Sequence, residues 1–365
     1  MKVIFFVIVF TLFTEPVRAA ITCEPVTSPL NYSVPLSATV SLGVDSPNGT
    51  VLYKGIISQS NAPTYRCTAG EEWLDEQFLN LLAAPFPLSS WKGSPFSGSV
   101  YETNIPGVGV AIWSELVPAS AATTDKPVLV WSGKRISQTN IPVRLSLGYS
   151  LIKTGVIQPG VVSGSSLPRF GISLKLTPSS PGFPWQAISY NFSGGINIVS
   201  NTCQTPDVNV DMGKWDAKDF GNIGKVTKWV KSDIVLYNCP TFSGYYSTNS
   251  VRSYTNGTAD PLPARDLNSL SISFKPLSGI VDAANGIIAL NAGAESAQGI
   301  GIQLGKGNYS GAVNTINLNE AFSFTPPVDG SSSFNIPLAA RYIQTEKELK
   351  PGKADAKVVF TINYY

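Results

Sequence analysis

The 365-residue sequence contains no histidine. That excludes a Ser-His-Asp triad and every histidine general base. Cysteine is scarce: Cys23, Cys67, Cys203 and Cys239, with no C-x-x-C spacing. Without histidine to complete a ligand set, no zinc site is expected. Charged residues make up only 14% of the chain. No basic cluster stands out, so no nucleic-acid partner is expected. Acidic residues are sparse and scattered. Glu102, Glu115 and Asp75 could serve a two-carboxylate glycosidase, but they form no motif. The chain is read as a non-enzyme with no cofactor and no metal. After the first residues, no stretch approaches about 20 uninterrupted apolar residues, the length a membrane-spanning helix needs.

The one apolar run of note is at the start. Residues 1–19 read as a secretory signal peptide: Lys2 is the charged end and Val3 to Phe13 the apolar region. Val17-Arg18-Ala19 supplies the cleavage positions, with a cut after Ala20 as the alternative. Lys2, Glu15 and Arg18 lie in this segment, which leaves 24 basic and 23 acidic residues in an exported chain. About 346 residues remain, a soft prior for two domains. In an oxidising compartment the four cysteines are expected as Cys23–Cys67 and Cys203–Cys239, although four cysteines allow three pairings. Each bridge would close a loop of roughly 40 residues and contribute on the order of 4 kcal/mol in the chain-entropy model.

With 32 Gly and 27 Pro, the composition suits many short strands joined by turns. Strand patterns occur at Ala38–Leu42, Val51–Ile57, Val128–Ser132, Val143–Tyr149, Gly171–Leu176 and Ala187–Phe192, then at Gln298–Leu304 and Val313–Leu318. Glu71–Ala84 carries Leu74, Phe78, Leu81 and Leu82 at helical spacing and predicts the one helix. Ser193-Gly194-Gly195 through Asn201 reads as a linker, and Lys214–Lys231 as a long connection. Trp113 and Trp131 fall inside strand patterns and are expected in the core, whereas Trp91 falls in a loop. The final stretch, Ala354–Tyr365, alternates Ala356, Val358, Phe360, Ile362 and Tyr364 with more polar neighbours. Period two means one apolar face of a strand. Its cover comes either from earlier strands or from another protein, as in donor-strand complementation.

Ile336-Pro337-Leu338-Ala339-Ala340-Arg341-Tyr342, followed by Pro351-Gly352, Ala354, Ala356, Phe360 and Tyr364, resembles the C-terminal signature of chaperone–usher pilus subunits. Tyr101–Trp113, with its Gly107-Val108-Gly109, resembles a motif of fimbrial adhesin and pilin domains. Taken together, the chain resembles the two-domain tip adhesins of chaperone–usher fimbriae. The resemblance implies two immunoglobulin-like or jelly-roll-like β-sandwiches in tandem, residues 20–199 for receptor binding and 200–365 as a pilin domain lacking its last strand. It implies a groove along Ala356, Val358, Phe360, Ile362 and Tyr364, filled first by a periplasmic chaperone and then by a strand from the next pilus subunit. An outer-membrane usher and a host receptor, glycan or protein, complete the implied partners, with the chain exported through the periplasm to the fimbrium tip. Only Ala20, Ile21 and Thr22 precede Cys23, so no donor arm is expected, which suits a tip position. A mannose pocket of the relatives has an Asn-Asp pair after the second cysteine, and it is missing here. In its place stand Glu71, Glu72, Trp73 and Asp75, where carboxylates and an aromatic face would suit a sugar. The alternative is an acidic helix start with Trp73 in the core. Trp185 and Gln186, in the loop Ser179–Gln186, are the second candidate, with rigid hairpin packing as its alternative.

Overall fold

The computed structural model describes residues 22–68, 72–136, 140–200, 202–247 and 249–365. The expected signal segment 1–19 and the candidate Glu71 lie outside the described residues. Strands dominate. The only helical pieces among the described residues are two short 3-10 turns, Gly164–Ser166 and Ala217–Asp219.

The N-terminal half packs two large sheets around one core, with a small third sheet of Cys23–Pro25, Thr64–Cys67 and Ile141–Pro142. One sheet holds, in spatial order, Gly160–Ser163, Trp185–Val199, Arg169–Thr177, Glu72–Ala83 and Val128–Ile136. Leu30–Ser41 runs parallel along Trp185–Val199 in the same sheet. The other sheet holds Tyr101–Glu102, Val108–Ser114, Leu147–Lys153 and Val51–Ser58. Leu52, Val110 and Leu147 from this sheet share a single apolar cluster with Leu79, Ile172 and Ile188 from the first. Val108–Ser114 and Leu147–Lys153 are buried at every residue, as central strands covered on both faces are. Trp113 is buried within its strand, and Trp131 and Trp91 are half-buried.

Two expectations are overturned here. The Glu71–Ala84 helix is instead the strand Glu72–Ala83. Its buried residues Trp73, Asp75, Gln77, Leu79 and Leu81 alternate, but Asp75 and Gln77 break the apolar signal, so Leu74, Phe78 and Leu82 of the other face together with the buried Leu81 mimicked a helical stripe. The expected linker from Ser193 is the second half of the strand Trp185–Val199. Gly194 has φ +71°, and a side chain there would strike the carbonyl of Leu36. Glycine therefore marks close packing of strands at this point, not a hinge. The Val143–Tyr149 strand forms later in the sequence than its pattern suggested, as Leu147–Lys153.

The C-terminal half has smaller sheets. One runs Val230–Lys231, Leu338–Gln344, Ile300–Gly307, Ile287–Ile288 and Ile280–Asp282. A second has Leu270–Pro276 between Phe322–Phe324 and Val358–Tyr364. Cys23–Cys67 and Cys203–Cys239 are bonded, one bridge in each half.

One segment crosses between the halves. Arg252–Thr255 pairs in parallel with Val51–Ser58, and Thr258–Ala259 pairs with it in turn, extending the N-terminal sheet. This hairpin and the residues before it bring Tyr246 and Tyr254 into the N-terminal core beside Tyr53 and Tyr149. The Tyr149 hydroxyl donates to that of Tyr254 at 2.9 Å, and the Tyr53 and Tyr254 hydroxyls are 3.0 Å apart. Arg265 Nε donates to the Tyr246 hydroxyl at 3.1 Å. Burial raises the Tyr53, Tyr149 and Tyr254 phenols above their ordinary pKa, because a phenolate there would be desolvated.

Candidate functional site

Among the described residues, the strand Val358–Tyr364 is an edge of its sheet and pairs only with Leu270–Pro276. Its phase is fixed by the double hydrogen bond between Tyr365 and Ser269. In an antiparallel pair such bonds recur at every second residue. Val359, Thr361 and Asn363 therefore direct their amides and carbonyls toward the partner strand, while Val358, Phe360, Ile362 and Tyr364 direct theirs outward. Of these four, only Tyr364 finds backbone or side-chain partners among the described residues, both from Asp45. Val358, Phe360 and Ile362 present an open hydrogen-bonding edge.

That edge borders a cavity of about 1330 Å³. Its floor includes Ile288, Ile302, Leu338, Ala340 and Tyr342, and its rim Ala356, Val358 and Phe360. A second cavity of about 610 Å³ continues past Phe360, Ile362 and Tyr364 to Val44 and Asp45. All five groove residues named from the sequence thus line one or the other cavity. The far wall is the stretch after Cys203. Val208, Val210 and Met212 are half-buried there, while Asp207, Asn209 and Asp211 are exposed. This period-two segment belongs to no sheet. The groove runs between two extended segments, and it parts the cluster around Leu270 and Phe360 from the cluster around Ile302 and Tyr342.

The N-terminal candidates fall on strands, and the strands decide which side chains reach solvent. Trp73 is 1% exposed and Asp75 fully buried. Asp75 Oδ2 accepts from the Tyr65 hydroxyl at 2.6 Å and from Arg135 Nε at 2.8 Å. Burial and this bond to Asp75 raise the Tyr65 phenol well above its ordinary pKa. The Arg135 guanidinium lies over the Trp131 ring at 4.6 Å. Glu72 is exposed and pairs with Lys134 at 2.8 Å. Trp185 is 7% exposed, and Gln186 Nε2 donates to the Ile172 and Ile188 carbonyls. Neither tryptophan therefore offers an open face to a ligand.

The two candidate stretches meet through Tyr65. Its ring is 6.0 Å from that of Phe183, which is 6.4 Å from Trp185. Ser180 ties the same loop to Cys23, accepting from its amide at 2.8 Å. Sequence reasoning missed Tyr65 and Arg135. The available signal was Asp75 itself, because an inward carboxylate on a strand demands a buried donor and a cation.

Residues 190–365 match the family model described as Fimbrial protein, a family that is structural and not enzymatic. Among curated proteins, the fimbrial-like protein YraH of Escherichia coli K12 is 27% identical over 175 residues, 46% of this chain and 83% of that protein. The S-fimbrial adhesin protein SfaS of Escherichia coli O6:K15:H31 (strain 536) is 33% identical over 79 residues, 21% of this chain and 45% of that protein. Among solved structures, the CupB6 tip adhesin of Pseudomonas aeruginosa aligns over 94% of this chain and 95% of its own, at 16% identity and TM-score 0.34. The receptor-binding domain of the adhesin MrkD1P of Klebsiella pneumoniae aligns over 51% of this chain and 99% of its own, at 16% and 0.32. At that distance nothing is transferred from either structure. Residues 190–365 thus form a fimbrial-protein domain, and an all-β unit stands ahead of it.

Proposed function

We propose that this adhesin is held in the pilus by a strand from the next subunit, laid along Val358–Tyr364, after a periplasmic chaperone has filled the same groove during export to the usher. The observation that carries this reading is the open edge at Val358, Phe360 and Ile362, set over an apolar cavity. Unpaired strand edges invite another chain. An inserted strand would satisfy these backbone groups, and its alternate side chains would join the two apolar clusters across the cavity. Co-expression with a pilus chaperone tests this. The full chain should be captured and a chain lacking 354–365 should not. Stable capture of the shortened chain would refute the reading.

The N-terminal half then carries the receptor contact, with a host-surface glycan as the ligand. Glu72 and the loop ending at Trp185-Gln186 supply the polar groups, while Trp73, Asp75 and Trp185 hold them from beneath. A protein receptor is the second reading. It is favoured by Leu129 (44% exposed) and Ile136 (64% exposed) on Val128–Ile136, itself a sheet edge. A glycan array probed with the full chain, its Glu72→Ala variant and its Gln186→Ala variant separates the two. Selective binding lost in either variant supports the glycan site. A silent array with folded protein favours a protein receptor.

A further inference from the structure

One end of the groove is built by the other half of the chain. Asp45 donates its backbone N–H to the Tyr364 carbonyl at 3.1 Å, and its Oδ2 accepts the Tyr364 N–H at 2.8 Å. One residue thereby meets both outward groups of one edge position. That is what a residue of a neighbouring antiparallel strand would do at this point. The loop that carries Asp45 is fixed on the N-terminal side. Leu42 N–H bonds the Val199 carbonyl at 3.0 Å, and the buried Lys153 Nζ donates to the Val44 carbonyl at 2.6 Å. On the other side Gly43 lies against Tyr364, where an added Cβ would sit 2.1 Å from its carbonyl carbon. Asn268 donates to the carbonyls of both Ser41 and Tyr365, at 2.9 and 3.3 Å. Val44 and Asp45 face the same cavity as Ile362 and Tyr364.

We propose that Asp45 is the end stop of the strand groove. The occupant, an extended strand of another pilus subunit, pairs with Val358, Phe360 and Ile362 and terminates against Val44 and Asp45. The register of that strand is set by the N-terminal half of this chain, and the inserted strand touches both halves. This rests on the strand-groove reading, so its test must separate the two.

Two measurements on the full mature chain do so. The first needs no partner. By amide hydrogen exchange, Tyr364 should be protected while Phe360 and Ile362 exchange freely, and Asp45→Ala should release Tyr364 alone. Asp45→Asn keeps an accepting oxygen and should retain the protection. Equal exchange of Tyr364 in the parent chain and in Asp45→Ala overturns the stop, whatever fills the groove. The second measurement titrates Val/Thr-alternating peptides that span Val358–Ile362, with or without two further residues at the Asp45 end. The parent chain should bind the short and long peptides alike, while Asp45→Ala should bind the longer one about tenfold more tightly. Equal gains from the longer peptide in both proteins, or no gain in Asp45→Ala, overturn the stop and leave the groove reading standing. If no peptide binds either protein, the groove reading fails and the stop fails with it.

Discussion

The two halves of the molecule use the same materials and end in different states. Each carries a cysteine bridge and folds as strands over an apolar interior. The N-terminal half gathers one continuous core from its sheets. The C-terminal half has two smaller clusters with a cavity between them, and the outward edge of Val358–Tyr364 borders that cavity. The difference lies in what completes each sheet. Val51–Ser58 would end its sheet, but the hairpin Arg252–Ala259 covers it. On its outward side Val358–Tyr364 receives, among the described residues, only Asp45, at a single position. A hairpin from the C-terminal half thus extends an N-terminal sheet, while Val358, Phe360 and Ile362 keep an open edge among the described residues. An unfilled edge over an apolar trough is a liability unless another chain fills it.

The comparison breaks first if the hairpin is dispensable. A fragment ending at Val199 lacks Tyr246 and Tyr254, uncovers Tyr53 and Tyr149, and frees the edge of Val51–Ser58. Losing two buried aromatics should lower unfolding free energy by about 5 kcal/mol relative to the same half in the full chain. Urea unfolding followed by tryptophan fluorescence would read this. A fragment as stable as the full chain would mean that the N-terminal half closes by itself.

A smaller effect probes the polar interior of that half. Arg135→Ala strands the Asp75 carboxylate in the core with only the Tyr65 hydroxyl. Removing one partner of a buried pair should cost about 4 kcal/mol. Pairing the change with Asp75→Asn should recover much of the loss. If the single and double variants unfold alike, the carboxylate is not held as described.

The smallest effect concerns the tyrosines shared by the two halves. Tyr53→Phe removes one hydrogen bond to Tyr254 and should cost about 1 kcal/mol near neutral pH. The Tyr53, Tyr149 and Tyr254 phenols have folded pKa values raised above 10.0. A raised folded pKa contributes stability that is complete below the unfolded value and is lost as pH climbs past it. The melting temperature should therefore fall above about pH 10, and less steeply in Tyr53→Phe. Equal slopes would mean that these phenols ionise together with the unfolded chain.

How much of this could be read from the sequence follows the same division. The last strand was legible because Val358, Phe360, Ile362 and Tyr364 keep a clean period of two. Val51–Ser58, Arg169–Thr177 and Trp185–Val199 were legible at least in part for the same reason. Glu72–Ala83 was not, since it buries Asp75 and Gln77 among apolar neighbours and so hides its alternation. The crossing hairpin was not legible either. Nothing local in Arg252–Thr255 indicates that its partner lies almost 200 residues earlier, at Gly55 to Ser58. The cavity-lining residues of the last strand were named from the pattern and the resemblance, but Asp45 was not, because its contact with Tyr364 depends on how the halves meet.

The open edge itself is the central claim, and amide hydrogen exchange at Val358, Phe360 and Ile362 tests it most directly. A Val/Thr-alternating peptide would be added at a concentration about 100 times its Kd. The account predicts rapid exchange at these three amides in the free chain and strong protection on peptide addition, with Ile112 and Leu151 in the N-terminal core unchanged. Slow exchange in the free chain, or no protection with peptide bound, would contradict it.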